Sequence, residues 1–246
     1  MKKTMFISHG DKGGVGKSMT AAVMVERLLL LGVERLALVE GDPRNPDIGR
    51  RYKEVEELRP AFLPLNRPGA EAATAVTDLA SWIETEDPDA LVVNLPSGAG
   101  ETLDQLSGIL RGVCDGLGFR MVATYSLGMT DALTDGMVLS LKEGLLSHVD
   151  PENRAAVYPL FSGPKSSFLW SRSKDRALYP MREIEMPRFG ATSSMLKMLN
   201  TRGRIMELGE RGAPGWLIVD RINVAEWIHA AMRAMDPIMT ESDDEE

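Results

Sequence analysis

Short apolar runs rich in β-branched and aromatic residues alternate along this chain with longer segments of helical period. The runs at 4–8, 35–39, 90–95, 119–125, 155–161 and 182–186 have the length and composition of strands. Helical periodicity covers 17–31, 70–86, 101–116, 131–148, 166–178, 191–201 and 222–235. This alternation predicts an α/β fold, a doubly wound and mostly parallel sheet flanked by helices. The helix after the first strand, KSMTAAVMVERLLLL, is apolar on nearly every face and stops at Gly32, so deep burial is expected. Residues 43–69 carry five prolines and little period, which predicts an irregular excursion rather than a linker between domains.

Composition narrows the class. A chain of 246 residues with this pattern is expected to form one domain over 1–235. Residues 236–246 hold six acids and no base, which predicts a disordered, solvated acidic tail. Those six account for most of the net charge of −8, leaving −2 for the remainder. The single cysteine, Cys114, excludes an intrachain disulfide framework and a cysteine-clustered metal site within one chain. It is expected to be a buried helix residue in a reducing, cytoplasmic setting. The first ten residues contain an apolar run too short for a signal peptide. No window reaches 18 uninterrupted apolar residues, so no membrane span is expected. His9, His148 and His229 are read as structural or surface residues, with no metal-ligand spacing among them.

Candidate chemistry concentrates in HGDKGGVGKS, between the first strand and the first helix. Glycines 13, 14 and 16 let successive amide hydrogens face one concavity, and the start of a helix adds its positive dipole end. Lys12, Gly13, Gly14, Val15, Gly16, Lys17, Ser18 and Met19 are therefore the candidate nucleotide-binding residues. Lys17 would neutralise the β- and γ-phosphates of ATP, and the Ser18 hydroxyl would ligate Mg²⁺. An ordinary loop of this type has glycine where this chain has Asp11. The carboxylate is expected to turn outward and pair with a cation such as Lys12.

The extra lysine, Lys12, completes the deviant pattern x-K-G-G-x-x-K-[ST]. With it the sequence resembles the ParA/MinD superfamily of deviant Walker A P-loop ATPases, which implies a P-loop NTPase fold of the SIMIBI type. The K-S-M form at Lys17-Ser18-Met19 is similar to the small ParA-like proteins of plasmid transfer and stability operons. The resemblance covers residues 1–130 in ordered motifs. It implies a nucleotide-dependent homodimer in which Lys12 acts in trans on the partner's phosphates, as an arginine finger does. In VEGDPRNPD, Glu40 and Asp42-Pro43 fall on the family's D-x-D-P. By resemblance Asp42 would prepare the attacking water or stand in the second shell of Mg²⁺, and a plain Asp-Pro turn is the alternative. In ALVVNLPSG, Asn94 stands where the family has aspartate, which predicts weaker metal binding and slow hydrolysis. The iron–sulfur branches of the superfamily need paired cysteines, so no such cluster is expected.

A second candidate lies at 165–182. There Lys165, Arg172, Lys174, Arg176 and Arg182 stand against one acid, Asp175, interleaved with Phe168 and Trp170. This is the candidate contact surface for DNA, with a DNA-bound adaptor protein as the other partner and a solvated helix face as the alternative. The C-terminal amphipathic helix feeds directly into acid, which an anionic bilayer would repel, so no membrane partner is expected. Three functions follow. The leading one is an ATP-dependent dimerising ATPase acting in plasmid partition, stability or conjugative transfer. The others are a nucleotide-gated scaffold with little hydrolysis and a metabolic ligase or kinase on the same fold.

Overall fold

The computed structural model describes residues 2–67, 71–98 and 103–240. Its strands are β1 (Thr4–His9), β2 (Leu36–Glu40), β3 (Leu58–Phe62), β4 (Ala90–Asn94), β5 (Arg120–Ser126), β6 (Arg154–Pro159) and β7 (Arg182–Met186). They build one sheet in the order β3-β2-β4-β1-β5-β6-β7, with every neighbouring pair parallel. The helices are α1 (Lys17–Leu30), α2 (Asp47–Arg51), α3 (Ala72–Glu86), α4 (Ser107–Leu117), α5 (Asp131–Glu143), α6 (Asp175–Leu178), α7 (Thr192–Asn200), α8 (Ile205–Arg211) and α9 (Ile218–Met239).

Strand alternation divides the core into two layers. Phe6, Leu36, Leu38, Ala90, Val92 and Val122 face α1, α2 and α7–α9. Met5, Ile7, Ala37, Val39, Leu91 and Val93 face α3, α4 and α5. The sheet is therefore wound on both sides, as the sequence pattern predicts. α1 is buried over most of its length, with Ala21, Val23, Met24, Val25 and Leu28 fully enclosed. Side chains of this size contribute roughly 2 kcal/mol each on full burial. The helix that follows the glycine-rich loop is thus held rigidly under the sheet. The same parity carries Ser8, Asn94 and Glu40 to the α1 face at their strand ends, while His9 faces the opposite layer.

Several local expectations change. The 43–69 segment holds α2 and the edge strand β3, rather than irregular chain throughout. Pro60 is tolerated in β3 because an edge strand needs ladder hydrogen bonds on one side only. The helix expected over 166–178 is instead two 3₁₀ turns, Lys165–Ser167 and Leu169–Arg172, followed by the four-residue α6. Its buried anchors, Phe168 and Trp170, are two residues apart rather than three or four. Ser171 and Ser173 also spend their hydroxyls on Phe168 and Asp175, bonds that compete with a continuous helix. α5 stops at Glu143 and a 3₁₀ turn, Leu145–His148, completes the expected 131–148 segment. α8 was not legible as a helix.

α9 runs from Ile218 through Met239 and buries Val224, Ile228, Ala231, Met235 and Ile238 at helical spacing. Arg27 pairs with Asp236 at 2.8 Å, so 236–239 belong to this helix. The remaining acidic positions, 241–246, lie outside the described residues. Among the described residues no helix is long and apolar enough to cross a membrane. Cys114 is fully buried on α4 against Met5, and burial pushes its thiol pKa up to about 12.

Candidate functional site

β1 delivers the chain at His9 into the glycine-rich loop, and α1 begins at Lys17. Gly14 and Gly16 adopt φ of 79° and 96°, the left-handed region that a side chain disfavours. Beyond Gly16 the loop is also tight, since a Cβ there would meet the Phe161 ring at 3.2 Å. The consequence is electrical. The N–H groups of Gly13, Gly14, Val15, Gly16, Lys17, Ser18 and Met19 donate to no protein acceptor among the described residues, and the first bond back into the helix is Thr20 N–H to the Gly16 carbonyl. Consecutive free amides at a helix start form an anion cradle.

Lys17 lies across this loop with 6% of its surface exposed, donating from Nζ to the Lys12 carbonyl at 2.7 Å. Burial lowers its pKa to about 8, and the Asp11 carboxylate partly offsets that shift. Such a cation gains from an arriving anion because it has lost hydration without gaining a counter-ion. Ser18 and Met19 are half-buried in the first turn, Met19 packing on the core and Ser18 lying beside Lys17. Lys12 is exposed and forms no ion pair among the described residues.

Asp11 corrects an expectation. Its carboxylate forms no ion pair among the described residues; Oδ2 accepts a hydrogen bond from the Tyr125 hydroxyl at 2.8 Å. It is folded toward α5, where a Cβ on Gly136 would come within 1.9 Å of Oδ2. The absent side chain at Gly136 makes the room. The acid is thus drawn back from the cradle by a phenol rather than neutralised by a base. Next to it, His9 is fully buried, edge-on to Tyr125 at 4.9 Å between centroids, with Nε2 3.5 Å from Ser140 Oγ and 3.7 Å from Asp104 Oδ1. Burial holds its pKa below the usual value and favours the neutral ring.

The strands beyond β1 bring the other acids. Asp42 Oδ1 accepts from the Arg44 and Asn45 N–H groups at 3.1 and 3.2 Å, which is the Asp-Pro turn weighed for it. That turn uses one oxygen and leaves Oδ2 without a partner among the described residues. Glu40 is fully buried. Its Oε2 accepts from the Ile48 and Gly49 N–H groups at 3.2 and 3.3 Å, and its Oε1 from Asn94 Nδ2 at 2.9 Å. The loop after β4 joins the glycine-rich loop through Gly98 N–H to the Asp11 carbonyl at 3.1 Å. Residues 99–102, which continue that loop, lie outside the described residues.

The basic stretch divides. Lys165 pairs with Glu183 and Glu185, Arg176 pairs with Glu183, and Arg182 donates to the Glu152 carbonyl. Arg172 and Lys174 are exposed with no ion pair among the described residues. Phe168 and Trp170 are buried in the core rather than interleaved at the surface. Strand β7 thus supplies acids to two of the five expected cations, Lys165 and Arg176, while Arg172, Lys174 and Arg182 form no ion pair among the described residues. Tyr125, Asp104 and Ser140 were missed altogether. Nothing in their local sequence marks them: the β1–β5 register sets Tyr125 beside His9, while helix packing brings Ser140 of α5 and Asp104 to the same ring.

No protein-family model matches the chain. It is 42% identical over 57 residues to a protein named MobD from Acidithiobacillus ferrooxidans, a stretch covering 23% of this chain and 25% of that protein. Among solved structures it resembles a nucleotide-binding protein from Archaeoglobus fulgidus in complex with ADP, with 14% identity, a TM-score of 0.50, and coverage of 80% of this chain and 86% of that one. FtsY from Mycoplasma mycoides aligns with a TM-score of 0.44 at 14% identity over 74% of this chain and 60% of that one. The first of these structural likenesses shows a fold. The architecture is a doubly wound α/β sheet, the fold shared with that nucleotide-binding protein.

Proposed function

We propose that this chain binds ATP with Mg²⁺ in the Gly13–Met19 cradle, dimerises around it and hydrolyses it slowly. The observation that carries the reading is the run of seven amides at the start of a helix with no acceptor among the described residues, closed by a buried lysine that forms no ion pair among them. Phosphate oxygens would take these amides, and Lys17 would exchange its bond to the Lys12 carbonyl for one to the β- and γ-phosphates. Ser18 would present its hydroxyl to the metal, with Asp42 Oδ2 free to accept from a metal-bound or attacking water. A bound Mg²⁺ would offset phosphate charge and polarise the terminal phosphoryl group. The described residues hold no group of three or more His, Cys, Asp or Glu placed to bind a metal, so nucleotide oxygens and waters would supply most of its ligands.

Lys12, exposed and unpaired, would act on the partner's phosphates across a nucleotide-dependent homodimer, the role that the ParA/MinD resemblance implies. The biological setting we infer is plasmid partition, stability or conjugative transfer, supported by the K-S-M loop and the stretch shared with MobD. Arg172 and Lys174 are the residues we assign to a DNA or adaptor contact. A nucleotide-gated scaffold with little turnover is the second reading, favoured by the absence of a carboxylate at Asn94. A steady-state ATPase assay of wild type and Lys17→Ala, with and without DNA, separates the two. The enzyme reading expects slow turnover abolished in the variant; equal rates in both proteins would leave only the scaffold.

A further inference from the structure

We propose that the metal-facing acid of this site is divided between two strands: Asn94 supplies the acceptor atom and Glu40 supplies the charge. The inference rests on the nucleotide reading above and concerns how this chain compensates its own asparagine. Glu40, Asn94 and Ser8 stand side by side in register at the ends of β2, β4 and β1, on the face that α1 covers. The row ends at the first turn of α1, where Ser8 Oγ donates to the Lys17 carbonyl at 2.9 Å. Asn94 is 4% exposed and gives its Nδ2 to Glu40 Oε1. Burial raises the Glu40 pKa against the pull of its four hydrogen-bond donors. In its ionised form the carboxylate accepts only, so this bond fixes which end of the amide faces β2. The other end, Oδ1, is then turned away from Glu40, and it is buried with no hydrogen-bond partner among the described residues.

Two unusual features therefore meet. A buried carbonyl oxygen lacks a donor, which costs free energy unless a ligand or water fills the gap. Beside it a fully buried carboxylate has neutral donors but no cation among the described residues. Buried charges are ordinarily paired or spent on metal ions. A hydrated divalent cation at Ser18 answers both: its water donates to Asn94 Oδ1, and Glu40 polarises the amide and contributes negative charge through it. Glu40 is in this sense a positioning residue. It also holds the Ile48 and Gly49 amides of α2, so the same carboxylate links the metal-facing amide to the segment that carries Asp42.

The test is equilibrium binding of a fluorescent ADP analogue to the full chain, in excess Mg²⁺ and in EDTA. The quantity read is the ratio of the two dissociation constants. Glu40→Gln is expected to reduce the Mg²⁺ enhancement by about tenfold or more, the usual loss when a metal's outer-sphere partner is changed, and to leave the EDTA affinity unaltered. The exchange Glu40→Gln with Asn94→Asp should restore the ratio, since charge then returns to β4. Asn94→Ala, which keeps Glu40, should lower the ratio as well. A ratio unchanged in Glu40→Gln, or equal weakening with and without Mg²⁺, overturns the proposal and leaves Glu40 as a structural tie. Should Glu40→Gln not fold, an unaltered ratio in Asn94→Ala overturns it. Binding in EDTA that the variants leave intact keeps the nucleotide reading standing in either case, whereas absence of binding in both conditions removes the two together.

Discussion

Lys17 makes nucleotide affinity depend on pH in a window where an ordinary lysine is silent. Its ammonium is buried beside the loop, with a free-state pKa of about 8. Phosphate contact restores the charged form, so the bound pKa lies at or above the ordinary value of about 10.4. Apparent affinity then falls once the free protein loses this proton. From about pH 7 to about pH 9 the dissociation constant rises roughly tenfold, or about 1.4 kcal/mol, and at about pH 8 binding takes up roughly half a proton. The same shift acts on folding. The folded pKa lies below the unfolded one, so the unfolded chain binds more protons between them and the ligand-free protein gains stability as pH rises through that window. Lys17→Met should accordingly stabilise the ligand-free fold at neutral pH by about 2 kcal/mol while abolishing binding, because it removes a poorly solvated charge. Calorimetric titration with ADP in buffers of differing ionisation enthalpy reads the proton uptake directly. Affinity constant to about pH 9.5, with no uptake at about pH 8, would refute the assignment of Lys17 as the buried phosphate cation.

Gly136→Ala places a methyl group within 1.9 Å of Asp11 Oδ2 and drives that acid from Tyr125 toward the loop. The helix itself tolerates alanine, so the melting temperature should hold within a few degrees while ADP affinity falls about fivefold, read by the same titration. Glu26 is fully buried and accepts from Tyr52 Oη at 2.8 Å and from the Ile205 and Met206 N–H groups that open α8. Glu26→Ala strands those donors, and urea unfolding should show a loss of about 3 kcal/mol or more. Cys114, its thiol pKa raised to about 12 by burial, should react with a thiol reagent only through opened states, so its modification rate should be far below that of a free thiol and rise with denaturant.

The parts of the site that lie on consecutive residues were legible. Glycines 13, 14 and 16, Lys17 and Ser18 predict an anion cradle through spacing alone, and in the structure this loop has left-handed Gly14 and Gly16 and amides with no acceptor among the described residues. The period of α1 likewise announced its burial. What depends on cross-strand register was not legible. The Asp11 carboxylate found Tyr125, 114 residues away, and Glu40 found Asn94 across the β2–β4 pairing. Asp11 seemed to need a cation because sequence showed only its neighbours, among them Lys12. The ion pairs of the basic stretch were hidden for the same reason. Its lysine and arginine at 165 and 176 meet Glu183, which falls on β7 just beyond the helix predicted there. The edge strand β3 was hidden by Pro60, a residue that argues against a central strand and is harmless at an edge.

The central claim is that ATP brings two copies of this chain together through Lys12. Sedimentation velocity of wild type and Lys12→Ala, each with ATP, ADP and no nucleotide, tests it most directly. The account predicts a dimer of wild type with ATP alone, monomers in the other two conditions, and a monomer of Lys12→Ala throughout. An oligomer indifferent to nucleotide, or a Lys12→Ala dimer as stable as the wild type's with ATP, would contradict it.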